Sequence, residues 1–239
     1  MTRKRTLLSW SSGKDSAWAL HALRQQPELE IVGLVTTINQ LFRRISIHSV
    51  RLDLLERQAE AVGLPLHLIE LPYPCSNAEY ESAMEAFIAE ARLRGVEHLA
   101  FGDLFLAEVK EYREAKLSGT GITPLFPLWL MPTDALAKEM IASGLRATVT
   151  CVDPKQLPAS FAGREFNEAF LSDLPAEVDP CGERGEFHSF AFAGPMFRKP
   201  VDVEVGEITE REGFVYADVL PIGHGAVTRV SSGCKGGDQ

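Results

Sequence analysis

Cysteine is scarce in this 239-residue chain, and the four present, Cys75, Cys151, Cys181 and Cys234, lie far apart without a Cys-x-x-Cys pair. That spacing excludes a zinc knuckle and a disulfide framework, and it fits a reducing, cytoplasmic setting. Long apolar runs are missing too. No segment approaches the roughly 18 consecutive apolar residues of a membrane helix. The apolar stretch 6–10, behind Thr2-Arg3-Lys4-Arg5, is too short for a secretory leader. Positive charge is in deficit, with 24 Lys and Arg against 33 Asp and Glu and a net charge of -9. A chain so acidic is a poor non-specific binder of nucleic acid. Internal repeats are absent, and no glutaminase signature is present.

What remains is a folded chain, 45% hydrophobic, with strands and helices in alternation. Apolar runs predict strands at 6–10, 31–37, 66–71, 98–102 and 123–128. Helical periodicity predicts helices at 15–26, 50–62, 77–94 and 105–117, the third capped by Ser76 and closed by Gly95. Such alternation implies an α/β fold, a Rossmann-like parallel sheet of about five strands covered on both faces. A helix at 133–142 and a strand at 146–152 follow, then one helix within 154–174 and strands at 187–192, 201–208 and 214–220. The expected organisation is a nucleotide-binding domain over 1–130, a smaller mixed α/β C-terminal domain over 131–222 and a Gly- and Ser-rich tail over 223–239.

Between the first strand and first helix lies Ser11-Ser12-Gly13-Lys14-Asp15-Ser16. A small-residue loop opening a helix presents unpaired N-H groups at the positive end of the helix dipole, which suits phosphate. Lys14 adds an ammonium, and the serines add hydroxyls. A Walker A loop is excluded because Ser9 and Asp15 occupy positions that require glycine and Ser or Thr. A dinucleotide fingerprint lacks its three spaced glycines. The alternative is a polar turn that only caps a helix.

This loop resembles the PP-loop, Ser-Gly-Gly-Lys-Asp-Ser, of the N-type ATP pyrophosphatases. With Gly102-Asp103, Pro127-Leu128-Trp129 and Cys181-Gly182-Glu183-Arg184-Gly185-Glu186-Phe187, the order of motifs is similar to that of the diphthine-ammonia ligase family, over about residues 6–197. Ser12 stands at the first loop glycine, a change compatible with a negative φ. Arg184 stands where the signature has glycine, and His188 where diphthamide-making members carry an acid. The stretch Arg43-Arg44-Ile45-Ser46-Ile47-His48 resembles the bacterial branch, in which the acceptor is not expected to be diphthine.

The resemblance implies an ATP-dependent ligase in which a substrate carboxylate attacks the α-phosphorus, pyrophosphate leaves, and ammonia displaces AMP to give an amide. It implies ATP and magnesium as cofactors, and a small-molecule or protein-borne carboxylate and ammonia as partners. A homodimer is compatible with it. Nucleotide contacts are expected at Ser11, Ser12, Gly13, Lys14, Asp15, Ser16, Thr37, Gly102 and Asp103, with Asp15 and Asp103 as metal ligands. Lys14, Glu183 and Glu186 are the expected catalytic residues, and His48, Gly185 and His188 the substrate contacts. Each has a simpler alternative: Asp103 as a helix cap, the two glutamates as a solvated turn, His188 as a structural histidine and His48 as solvated basic surface. Cys181 is expected to pack rather than attack. Two other functions stay open: a PP-loop nucleotide hydrolase or cofactor-salvage enzyme, and a non-catalytic nucleotide sensor.

Overall fold

The computed structural model describes residues 2–41, 45 and 50–222. Five parallel strands, β1 (Lys4–Ser9), β2 (Leu29–Asn39), β3 (Leu66–Leu71), β4 (His98–Ala100) and β5 (Thr123–Leu125), form the first sheet in the order β3-β2-β1-β4-β5. The order reverses at β1, so a crevice opens beyond its C-terminal end, where open α/β sheets bind ligands. The Ser11–Ser16 loop lies at that point. Topology alone therefore singles it out.

Four helices cover this sheet: α1 (Lys14–Arg24), α2 (Leu52–Val62), α3 (Asn77–Leu93) and α4 (Ala107–Leu117). Successive strand residues serve opposite faces, so Leu7 joins one buried cluster with Val35, Leu99 and Ile88 of α3. Leu8 joins the other, with Leu20 of α1 and Leu54 of α2. Helix α3 starts on a capping box, in which Ser76 Oγ accepts from the Glu79 amide and Glu79 returns a bond to the Ser76 amide. Helix α2 ends on Gly63 at φ 71°, a left-handed C-cap suited to glycine.

The second sheet is antiparallel, ordered β7-β6-β9-β8, from β6 (Arg146–Val152), β7 (Phe187–Ala193), β8 (Val203–Arg211) and β9 (Phe214–Pro221). Helix α5 (Thr133–Ala142), a short 3-10 turn (Ala159–Phe161) and α6 (Glu168–Asp173) complete this half. Its aromatic residues Phe166, Phe170, Phe187 and Phe190 belong to the same buried cluster as Leu8 and Trp18. One core thus runs between the halves. The predicted strands at 98–102 and 123–128 are shorter than expected, since β4 ends at Ala100 and β5 at Leu125. The chain leaves the sheet there and turns at 127–130. Among the described residues no helix is long and apolar enough to cross a membrane.

Candidate functional site

The loop after β1 is held from beneath by buried polar groups. Ser12 takes φ 70°, in the left-handed region, and corrects the expectation of a negative φ. The cause is its carbonyl, which is turned inward to accept from the Ala191 amide at 2.9 Å and from Gln58 Nε2 at 3.0 Å. Gln58 is fully buried and also bonds Ala191 O at 2.6 Å and accepts the Trp10 indole N-H at 2.8 Å. Ser12 Oγ is buried without a partner among the described residues, and Ser12 does not line the cleft that its neighbours Ser11 and Gly13 line. Ser12→Gly removes both the positive-φ penalty and the orphaned hydroxyl, and denaturant unfolding should show a gain of about 1 kcal/mol.

Helix α1 has no side-chain cap. The Lys14 amide donates to Ser189 Oγ of β7 at 3.2 Å and the Asp15 amide turns back on its own carboxylate, whereas the Ser16 amide finds no acceptor among the described residues. Gly102, just past β4, lies against these two residues: a Cβ there would stand 3.1 Å from Asp15 C and Ser16 N. The backbone cradle is thus bare because position 102 is glycine. A helix N-terminus with an open amide and room above it fits a phosphate.

Lys14 opens helix α1. Its side chain is buried, with Nζ 2.8 Å from Asp15 Oδ2 and bonded to the Cys181 carbonyl, beside the rings of Phe187 and Phe166. Burial presses its pKa down, but the negative charges around it, Asp15 foremost, outweigh this and hold it above the ordinary lysine value. The ammonium therefore ties the Ser11–Ser16 loop to the Cys181–Phe187 loop. It still lies in the wall of the cleft.

Glu183 reaches the same cleft, with Oε1 accepting the Leu104 amide at 2.8 Å. Burial, reinforced by the charges of Asp15 and Asp103, pushes its pKa up to about 7, against the Leu104 bond and Lys14. Glu186 behaves differently. It is 2% exposed, accepts the amides of Asp179 at 3.0 Å and Arg184 at 2.9 Å, and does not line the cleft. One carboxylate faces the solvent-filled space; the other shapes the loop that carries it. Gly182, at φ 69° with Phe187 O 2.8 Å from any Cβ, makes the sharp turn and lines the cleft, whereas Gly185 does not.

His188 lies in the cleft wall, and burial followed by the nearby Lys14 holds its pKa down at about 4. Its imidazole is neutral near pH 7, a hydrogen-bonding group rather than a cation. The Cys181 thiol is buried, pushed up in pKa by burial, and placed against Thr133 O at 3.5 Å. It packs, as expected. Thr37 lines an adjoining cleft with Trp10, Thr36, Ile69, Leu71 and Tyr80, and Ser9, Ser11, Phe101 and Arg113 are common to both clefts. His48, Arg43 and Arg44 lie outside the described residues, as does the tail 223–239.

For magnesium, Asp15 Oδ1 is buried without a partner among the described residues, a hard oxygen suited to that ion. Asp103 caps no helix, since α4 begins behind Leu106, and both its oxygens are taken by Arg113. Among the described residues no group of three or more His, Cys, Asp and Glu side chains is placed to hold a metal. A single protein carboxylate fits magnesium when phosphate oxygens and water complete the shell.

Sequence reasoning missed Gln58, Arg113 and Ser189. Gln58 carried a signal, as the one polar side chain on a helix face with Leu54, Leu55, Ala61 and Val62. Arg113 carried none, in a helix where charged residues occupy most positions.

The Ser11–Ser16 loop and the Glu183 loop fall within a recognised two-part arrangement. Residues 4–122 match the diphthamide synthase N-terminal domain and residues 132–220 the diphthamide synthase C-terminal domain. The chain belongs to the diphthamide synthase family. Relatives include proteins named diphthine–ammonia ligase from Bos taurus and from Homo sapiens, each 25% identical over 87% of this chain and 86% of theirs. One of the same name from Danio rerio is 27% identical over 67% of this chain and 69% of its own. Both halves of the diphthamide synthase family architecture thus meet at the cleft, one supplying the amide cradle and the other Glu183.

Proposed function

We propose that this chain is an ATP-dependent, carbon-nitrogen bond-forming ligase that activates a carboxylate by attack on the α-phosphorus and passes it to ammonia. The observation that carries this is Glu183, a half-buried carboxylate with a pKa of about 7, in the same cleft as the uncapped N-terminus of α1 with its open Ser16 amide. The open amide holds a phosphate oxygen, and a preorganised donor of this kind contributes about 3 to 4 kcal/mol to a developing negative charge. Asp15 Oδ1 would hold magnesium, which would neutralise the phosphates. Lys14 keeps the two loops in register and adds its charge from below.

In the first step a carboxylate oxygen of the acceptor forms a bond to the α-phosphorus and the bond to the β-phosphate oxygen breaks, releasing pyrophosphate. In the second, nitrogen bonds to the acyl carbon and AMP leaves with the bonding electrons. Glu183 accepts the proton that the nitrogen must lose once ammonia has bonded to the acyl carbon, a transfer suited to a base whose pKa lies near working pH. Glu186 is a positioning residue, and neutral His188 orients the acceptor by hydrogen bonding. Thr37 belongs to the adenosine side. The names of the relatives support amidation, and Arg184 and His188, with the 43–48 stretch, support an acceptor other than diphthine. The sparse, dispersed cysteines support a cytoplasmic setting for it.

The test is incubation with ATP, magnesium, isotopically labelled ammonia and a metabolite extract. The expected result is label in a new amide, formed only when ATP is present. An ATP turnover that never transfers labelled nitrogen contradicts the proposal.

A further inference from the structure

Arg113 lies where the two clefts meet. Ser9, Ser11, Phe101 and Arg113 line both the space beside Thr36 and Thr37 and the space beside Lys14 and Glu183. A nucleotide that places its base in the first and its terminal phosphates over the Ser16 amide must cross at these four residues. The crossing point is the α-phosphate.

Two cations line these clefts among the described residues, Lys14 and Arg113. The Lys14 ammonium is sequestered against Asp15 and the Cys181 carbonyl. Arg113 is held but not used up. Its Nε lies 2.5 Å from Asp103 Oδ2, its Nη2 lies 3.1 Å from Oδ1, and its guanidinium carbon stands 4.3 Å from the centroid of Phe101. Those contacts fix the plane of the group yet occupy two of its five N-H donors. A planar fork already oriented by a carboxylate and a ring loses little freedom on gripping a second anion.

We infer that Arg113 is the residue that grips the α-phosphate of the nucleotide, with Asp103 and Phe101 as its orienting partners; this rests on the nucleotide reading of the cleft. The guanidinium then stands beside the phosphorus at which the first bond forms and breaks. Asp103 is accordingly a positioning residue rather than a metal ligand.

The probes are adenosine, which lacks the α-phosphate, and AMP, which carries it, each titrated calorimetrically into wild type and variants without any turnover. Wild type is expected to prefer AMP. Arg113→Ala is expected to bind adenosine as wild type does and to lose about 10- to 100-fold in AMP affinity, the range of a charge-assisted hydrogen bond or two. Arg113→Lys, which keeps the charge without the fork, should recover only part of it and decides the matter by the same criterion if the alanine variant does not fold. Asp103→Asn should keep more AMP preference than Arg113→Ala, because the cation stays. Three results overturn the inference: a wild type indifferent to the phosphate, an Arg113→Ala protein with its AMP preference intact, or an Asp103→Asn protein as impaired as Arg113→Ala. A wild type that binds neither probe overturns the nucleotide reading itself, and the inference with it.

Discussion

Glu183→Gln is expected to lower amide formation by about 10²- to 10⁴-fold, the range of a lost general base, with ATP affinity little changed. The substitution is mild for the fold, because the side-chain oxygen that accepts the Leu104 amide is retained. What disappears is the proton acceptor. In wild type the rate, measured at fixed free ammonia so that the amine's own titration is removed, should rise with pH through about 7 as Glu183 ionises. The variant should give a flat profile. Stability carries the same signature with a defined sign. Burial raises the folded-state pKa from 4.5 to about 7, so the native protein binds the extra proton between those values. Wild type therefore loses stability relative to Glu183→Gln as pH rises across that window. A pair of denaturation series at pH 4 and pH 8 measures it, and equal differences at both ends would contradict the assignment.

Gln58→Leu is expected to cost about 2 to 4 kcal/mol of stability and to weaken ATP binding, although the residue does not line the cleft. Its carboxamide is an acceptor for Trp10 at the end of β1 and a donor to Ser12 in the loop and Ala191 in β7. Leucine fills much of the volume and satisfies none of these groups. The Trp10 indole N-H loses its acceptor, and the Ser12 carbonyl keeps one of its two donors, the Ala191 amide. The left-handed conformation at Ser12 is then less firmly imposed, and the amides beyond it less firmly aimed. Urea unfolding gives the first effect and calorimetry with ATP the second. A variant as stable as wild type would show that the loop is held by backbone contacts alone.

The sheet was legible because its strands bury both faces, so short apolar runs separated by amphipathic helices leave few other solutions. The loop stood out as a candidate phosphate site because Gly13, Lys14 and the serines follow a strand directly. The direction of its parts was not. Ser12 is left-handed because of a donor 46 residues away and a strand amide still farther along the chain, partners that local sequence cannot announce. Lys14 looked like a free cation, yet the Cys181 carbonyl, 167 residues on, turns it inward. Glu183 and Glu186 were equivalent in sequence, two acids beside glycines. They part company because the turn at Gly182 presents the amides of Asp179 and Arg184 to one of them and the cleft to the other.

The division of ATP is the claim on which the rest depends, and labelled nucleotide reads it directly. With magnesium, ammonia, acceptor and ATP labelled in the α-phosphate, all of the consumed label should appear in AMP, with one pyrophosphate for each amide made. Label in ADP, accompanied by inorganic phosphate, would contradict the account at its root.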